Sequence, residues 1–199
     1  MKKIKSNQDF PRIIINSIPA KELTGLNVRK ADLREYIDGL KQLEHNSPDF
    51  IVMVCNTVHL YLDALRGEIK TEILDLRTEV IAALRRKRAK SMTVLGTPAT
   101  MRGRLYVFSG IKDIPLKSTE VLRISSAISR FNAGIESERQ SSIIKEIAKS
   151  YSSRSDTVIA GCTEISLMLQ GSGIPCLDTM DVLVEATIRK LEEVKLYGK

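Results

Sequence analysis

The sequence predicts an α/β fold of two similar halves, each a parallel sheet flanked by helices. Short apolar, β-branched runs alternate with segments at helical spacing along the 199 residues, which is typical of a parallel sheet covered on both faces. A pattern also repeats, because one apolar run ends in Cys55 and another in Cys162. After each cysteine come small hydroxyl or amide residues and then a new helical pattern. The content of 43% hydrophobic and 28% charged residues is that of a globular protein.

The first half is expected to contain three strands and three helices. Residues 30–44 place Leu33, Ile37, Leu40 and Leu43 on one stripe, which predicts an amphipathic helix. Apolar, β-branched composition predicts the strands, and helical spacing the other helices. The predicted strands are 11–18, 50–54 and 73–76, and the further helices are 57–65 and 77–90.

The second half continues the alternation and returns to the first at its end. Strands are predicted at 91–95, within 103–108, at 157–160 and at 174–177, and helices at 118–131, 136–152 and 163–170. Asp178 is placed to cap a final helix that reaches about residue 196. We expect a first domain of residues 1–90 plus 178–199, and a second of residues 91–177.

Composition limits the classes of binding partner and the cellular location that we expect. The apolar stretches are shorter than the roughly 20 residues of a membrane span, and the basic start lacks the apolar core of a secretory signal. We therefore expect a cytoplasmic protein without membrane contact. The net charge is +7, part of it in the basic run 85–90. Cations complement the end of a helix, and no aromatic residues interleave with this run, so we expect no nucleic-acid partner.

The cysteine count argues against disulfides and zinc. Three cysteines, Cys55, Cys162 and Cys176, occur without a Cys-x-x-Cys pair, and the two histidines form no ligand cluster with them. No metal site is predicted. A lone buried cysteine is usually a small core residue, which is our expectation for Cys176.

Cys55 and Cys162 are candidate acid and base groups. Each is expected at the carboxyl end of a strand and the amino end of a helix, where open α/β sheets bind ligands and where thiol pKa values are lowered. A thiolate and a thiol on opposite faces of an amino acid could remove the α-proton and return one from the other side. Either cysteine taken alone could instead be a core residue.

Several polar residues beside the cysteines are candidates for binding and tuning. Asn56, Thr57 and Thr163, with the amides of the two helix starts, form the expected carboxylate cradle. His59 and Glu164 could tune the neighbouring thiol, or could be ordinary first-turn residues. Thr97 and Thr100, in the turn after strand 91–95, either cap the next helix or bind substrate.

At these motifs the chain resembles the aspartate/glutamate racemase superfamily, and more closely its aspartate racemase branch. Cys55-Asn56-Thr57-Val58-His59 resembles that branch's C-N-T-A-H, and Gly161-Cys162-Thr163-Glu164 resembles its G-C-T-E. Leu95 to Met101 is similar to the family's threonine motif at a strand exit, and residues 11–19 are similar to its strand with an asparagine pair.

The resemblance implies a cofactor-independent enzyme, free of pyridoxal phosphate, with two α/β domains, a site between them and usually a homodimer. It implies that Cys55 and Cys162 are the acid/base thiols, and that Asn16, Thr57, Thr97 and Thr163 bind substrate. Lys21 stands where aspartate racemases carry an arginine, and Asn132 where they carry a lysine. The chain also begins after the family's usual first strand, and we expect this to weaken the first half and its activity.

We therefore hypothesise a racemase that takes a small amino acid, with an acidic one such as aspartate favoured. Two alternatives remain open at this point. One is another reaction of the superfamily, a decarboxylation or a cis–trans isomerisation. The other is a non-catalytic relative that binds a small carboxylate or a protein partner.

Overall fold

A computed structural model describes residues 6–7, 10–23 and 28–197, with side chains as far as Val194. Its described part contains a sheet of four parallel strands in the order β2-β1-β3-β4. The strands are β1 Ser91–Gly96, β2 Lys112–Asp113, β3 Thr157–Gly161 and β4 Leu177–Asp178. Strand β3 is buried along its whole length, as expected for the apolar centre of a parallel sheet.

Helices cover both faces of the sheet, as parallel connections require. They are α1 Arg34–Glu44, α2 Leu62–Arg66, α3 Leu76–Arg86, α4 Pro98–Arg102, α5 Ser118–Asn132, α6 Ser137–Ser152, α7 Thr163–Leu169 and α8 Thr179–Tyr197, with 3-10 turns at Lys30–Leu33 and Thr57–Tyr61. The predicted cap of the last helix is confirmed, because the Asp178 carboxylate accepts the Met180 N–H at 2.8 Å. Thr97 caps α4 in the same way, accepting the Thr100 N–H at 3.1 Å.

The register of the two central strands positions the site. Gly96 of β1 pairs with Gly161 of β3 at the ends of the ladder, so the residues that follow, Thr97 and Cys162, leave the sheet side by side. Glycine is needed at this point because a Cβ on Gly96 would lie 3.0 Å from the Gly161 carbonyl oxygen.

The predicted α/β class is confirmed, but the strands expected in the first half are largely absent. Residues 11–18 and 50–54 are not strands, and the first half shows one parallel bridge, between Ile51 and Ile73, in the described residues. Ile13 and Ile15 are 75% and 87% exposed. A β-branched run becomes a strand only when a neighbour pairs with it, and 11–18 has no ladder partner among the described residues.

Two smaller boundaries also differ from the prediction. The helix predicted over 77–90 ends at Arg86, because Arg88 adopts a positive φ of 55° that stops a right-handed helix. The strand expected within 103–108 appears later, as β2 at 112–113. Residues 103–106 instead continue the turns that follow α4.

Three hydrophobic clusters form the core, and the second of them contains residues of both halves. One packs α5, α6 and α7 against one face of the sheet, the second packs α3 and α8 against Met92 and Ile159, and the third lies under α1 around Leu62, Leu65 and Ile73. No helix in the described part of the chain is long and apolar enough to cross a membrane.

Candidate active site

The two cysteine motifs have the same local geometry. Backbone N–H groups two and three residues later lower the pKa of each sulfur: those of Thr57 and Val58 at Cys55, and those of Glu164 and Ile165 at Cys162. The 3-10 turn and α7 begin at these amides. Amides directed at sulfur favour the thiolate. The two copies of the sequence pattern therefore place their thiols in similar surroundings.

Burial nevertheless dominates the titration of both sulfurs. Cys162 is 5% exposed, and its pKa is raised first by burial, then by the charge and the hydrogen bond of Glu164. Burial likewise raises the pKa of Cys55, against the opposing effect of the Val58 and Thr57 amides. Each cysteine therefore rests as a protonated thiol. It can act as an acid, but forming its thiolate costs free energy.

Glu164 accepts three hydrogen bonds in and beside the second motif. Its Oε2 accepts from the Cys162 thiol at 2.7 Å and from the Thr163 hydroxyl at 2.8 Å, and its Oε1 accepts from Asn132 Nδ2 at 3.0 Å. Burial raises the pKa of Glu164, but these hydrogen bonds outweigh it, so the pKa is lowered. The carboxylate is thus ionised and shares the thiol proton.

The charge of Glu164 also reaches the other thiol, because it contributes to the raised pKa of Cys55. Negative charge on Cys55 or on Cys162 also raises the pKa of Tyr106. The contacts agree with this. Thr57, two residues after Cys55, has its Oγ1 3.0 Å from Thr97 Oγ1, and the pairing of Gly96 with Gly161 sets Thr97 beside Cys162. The fold therefore brings the two cysteine motifs to one region.

Three threonine hydroxyls join the halves beside the thiols. Thr57 Oγ1 lies 3.0 Å from Thr97 Oγ1 and 3.0 Å from Thr100 Oγ1, and Thr97 donates to Thr100 at 3.1 Å. Thr57 and Thr100 are buried. These three predicted binding residues are thus brought together, and Thr97 both caps α4 and joins the hydroxyl cluster.

Asn56 is held by a residue from the other half. The Tyr106 hydroxyl donates a hydrogen bond to Asn56 Oδ1, while Asn56 Nδ2 is buried and has no hydrogen-bond partner among the described residues. A buried amide N–H without an acceptor is costly. The geometry therefore presents a donor that suits a carboxylate oxygen.

His59 contacts the backbone of Cys55 rather than its sulfur. The ring is fully buried, and its Nδ1 lies 2.8 Å from the Cys55 carbonyl oxygen, so Nδ1–H donates to that carbonyl. Burial lowers the pKa of His59, which keeps the ring neutral. It fixes the backbone under the thiol.

Asn16 and Lys21 lie along the first helix. Asn16 Nδ2 donates to the Gly39 carbonyl at 3.1 Å and to Gln42 Oε1 at 3.0 Å. Lys21 contributes its backbone, donating to Glu35 at 2.7 Å and accepting from the Tyr36 hydroxyl at 2.9 Å. Within the described part of the chain, neither side chain hydrogen-bonds to a residue of a cysteine motif.

Sequence reasoning missed two aromatic residues of this region. Tyr106 bonds Asn56, and Tyr36 lies close enough to Cys55 for the thiolate charge to raise the pKa of Tyr36, after the larger effect of burial. Each lies at an ordinary core position of its segment, and no local pattern marks it. Asn132, which stands where aspartate racemases carry a lysine, donates to Glu164, and no pattern in the sequence indicates this contact.

A cavity of about 380 Å³ adjoins the hydroxyl cluster, and its lining includes Thr100 and Tyr106 but neither Cys55 nor Cys162. Among the described residues no group of three or more histidine, cysteine, aspartate or glutamate side chains is placed to hold a metal ion. The functional groups near the hydroxyl cluster are two thiols, one carboxylate and neutral hydrogen-bond donors.

Comparison with known proteins gives a consistent family. Residues 4–187 match the family model described as Asp/Glu/Hydantoin racemase. The chain is 24% identical over 186 residues to the broad specificity amino-acid racemase RacX of Bacillus subtilis, covering 90% of this chain and 82% of that protein.

Solved structures share the fold. Aspartate racemase of Picrophilus torridus superimposes with a TM-score of 0.76 at 22% identity, over 94% of this chain and 83% of that one. An aspartate racemase homologue from Pyrococcus horikoshii gives 0.69 at 22% identity, over 96% and 86%.

Proposed function

The chain belongs to the Asp/Glu/hydantoin racemase family, and from this premise we propose that it racemises an amino acid without a cofactor, using Cys55 and Cys162 as its acid and base. The observation that carries the proposal is the matched environment of the two thiols. Backbone N–H groups at the same two spacings lower the pKa of each sulfur, and the charge of one carboxylate, Glu164, raises the pKa of both.

The proposed reaction is a proton transfer at each face of the α-carbon. One cysteine, as thiolate, takes the α-proton, and the electron pair of the broken C–H bond delocalises into the α-carboxylate. The opposite cysteine, as thiol, then donates its proton to the other face of the carbon. The products are the enantiomer, one new thiol and one new thiolate, so the next turnover in the reverse direction uses the groups in exchanged roles.

Forming the thiolate is the demanding step, because burial raises the pKa of both sulfurs. The paired amides at each sulfur oppose that cost, because they favour negative charge. Glu164 adds to the cost by raising the pKa of Cys162, but it accepts the hydrogen bond of that thiol and is therefore placed to take the proton that Cys162 gives up. The substrate ammonium group, placed between the thiols, would favour the thiolate further.

The substrate carboxylate is assigned to the donors around Asn56. The proposed cradle consists of Asn56 Nδ2, which has no partner among the described residues, and of four hydroxyls, those of Thr57, Thr97, Thr100 and Thr163. Stabilising negative charge on the carboxylate is what a cofactor-free α-proton transfer needs most. An acidic amino acid such as aspartate is the proposed substrate, supported by the aspartate racemases among the proteins of the same fold.

Recognition of the acidic side chain is assigned to Lys21. Lysine is a compact point charge without the two-pronged geometry of arginine, so we expect broad selectivity, as in the relative named for broad specificity. Lys21→Ala should reduce kcat/KM more for aspartate and glutamate than for alanine. A strong preference of the wild type for aspartate over every neutral amino acid would contradict the expected broad selectivity.

The test is α-deuterium uptake from a panel of L-amino acids in heavy water, followed by NMR and by chiral chromatography. Cys55→Ser and Cys162→Ser should each abolish racemisation, because each removes the acid or base from one face. Cys176→Ser is the matched control and should retain full activity. Normal racemisation by either active-site variant would refute the two-thiol mechanism. Carboxylate binding without exchange in the wild type would indicate a non-catalytic relative.

A further inference from the structure

Tyr106 connects the residues next to the two cysteines. Its hydroxyl donates to Asn56, which follows Cys55, and its ring lies against Gly161, which precedes Cys162. A Cβ built on Gly161 would be 3.4 Å from the Tyr106 ring carbon Cε2. One side chain, 1% exposed, therefore spans the distance between the two motifs.

The hydrogen bond from Tyr106 decides which end of the Asn56 amide faces which neighbour. Because Oδ1 accepts the tyrosine proton, Nδ2 is turned away from Tyr106, and it remains buried with no acceptor in the described part of the chain. Without that hydroxyl the amide could rotate by half a turn at little cost. It would then present an oxygen, which repels a carboxylate.

The tyrosine is suited to act as a fixed donor. Burial, followed by the charges of Cys55 and Asp75, raises its pKa, so the phenol keeps its proton even when a neighbouring thiol ionises. Its surroundings hold the ring as well, since Tyr106 packs in the same hydrophobic cluster as Leu105 and Ile159.

We propose that Tyr106 is a positioning residue of the racemase reaction, acting through Asn56: it holds the amide so that Nδ2 donates to the substrate α-carboxylate. This rests on the proposed function for its kinetic consequence. The binding consequence is separate, because the oriented amide would select carboxylates whether or not the chain turns them over.

The test compares Tyr106→Phe with the wild type. Phenylalanine keeps the ring on Gly161 and removes only the hydroxyl, so the variant should fold, with a modest fall in melting temperature because the buried Asn56 Oδ1 loses its donor. We expect KM to rise about tenfold, with a smaller change in kcat, as for the loss of one oriented binding contact. Tyr151→Phe is the matched control, because Tyr151 is also buried but its hydroxyl donates to Glu120 at 2.5 Å.

A double-mutant cycle separates positioning from general packing. Asn56→Ala should weaken binding, and Tyr106→Phe added to Asn56→Ala should cause no further loss, because the tyrosine acts through that amide. Additive effects of the two substitutions, or an unchanged KM in Tyr106→Phe, would overturn the proposal.

A calorimetric measurement covers the case in which no turnover is found. The dissociation constant of L-aspartate should rise about tenfold in Tyr106→Phe, while that of the α-methyl ester, which lacks the ionised carboxylate, should change little. If wild type exchanges no α-proton yet shows this pattern, the racemase function fails and the positioning role stands. Equal effects on the acid and the ester would reject the positioning role.

Discussion

Replacing Glu164 by glutamine should make Cys162 ionise more readily. In the wild type the carboxylate accepts the thiol proton, with Sγ and Oε2 2.7 Å apart, and its charge is the second-largest cause, after burial, of the raised pKa of Cys162. Glutamine keeps the size and an acceptor oxygen but removes the negative charge. The pKa of Cys162 should therefore fall, while burial keeps it above the ordinary value for cysteine.

The distance sets the scale of the effect. Two unit charges 2.7 Å apart interact with about 6 kcal/mol at an effective dielectric constant of about 20. Glu164 is half-buried, so solvent screens part of this. If only a quarter remained, about 1.5 kcal/mol, the titration of Cys162 would still move to lower pH by about one pH unit.

The assay is the ultraviolet absorbance of the thiolate followed against pH, taken as the difference between each protein and its Cys162→Ser counterpart. Glu146→Gln is the matched control, because Glu146 is an exposed partner of Arg123 and should leave the curve unchanged. The reasoning would be refuted if Glu164→Gln titrated at the same pH as the wild type or at a higher one.

Stability provides a second measurement of the same effect. A cysteine whose folded pKa is raised keeps its proton in the folded state after the unfolded chain has lost it, at a pKa of about 8.5. Its contribution is therefore complete below that pH and is lost as the pH rises above it. In urea unfolding, the loss of stability of Glu164→Gln should end at a lower pH than that of the wild type, so its total loss should be smaller.

Three further predictions concern the packing around the site. Thr57→Val removes two hydroxyl contacts across the halves and should lower the free energy of unfolding by about 1–2 kcal/mol, measured in urea; an unchanged value would mean that the hydroxyl cluster contributes nothing. Ile73→Ala, at a fully buried position, should cost about 2–5 kcal/mol, whereas Ile15→Ala, at a position 87% exposed, should change stability by less than about 0.5 kcal/mol, and equal costs would contradict the placement of residues 11–18. Burial lowers the pKa of His59, so its contribution to the free energy of unfolding is complete above about pH 6.5 and is lost as the pH falls through the folded pKa. His59→Gln should therefore reduce the loss of stability on the acid side of the curve of stability against pH. The exposed His45→Gln should not.

The sequence by itself determined the fold class, the order of elements in the second half and the two cysteine motifs. Strand β3, α7 and the cap at Asp178 could be predicted because their signals are local: a continuous apolar run, a glycine or cysteine at its end, and a side chain that caps the next helix. The same locality explains the matched thiol environments. Each sulfur meets amides only two and three residues further along the chain.

The tertiary structure alone decided which residues meet across the site. Tyr106 and Asn56 are 50 positions apart, and Thr57 and Thr97 are 40 apart, so no periodicity in the chain records their contact. Residues 11–18 have the composition of a strand and yet form none, because strand formation depends on a neighbour that composition does not specify. The domain boundary near residues 90–91 stays a prediction. Contacts between residues a few positions apart depend on short segments and can be predicted from them. Contacts across the fold depend on loop closure and on the packing of the whole chain.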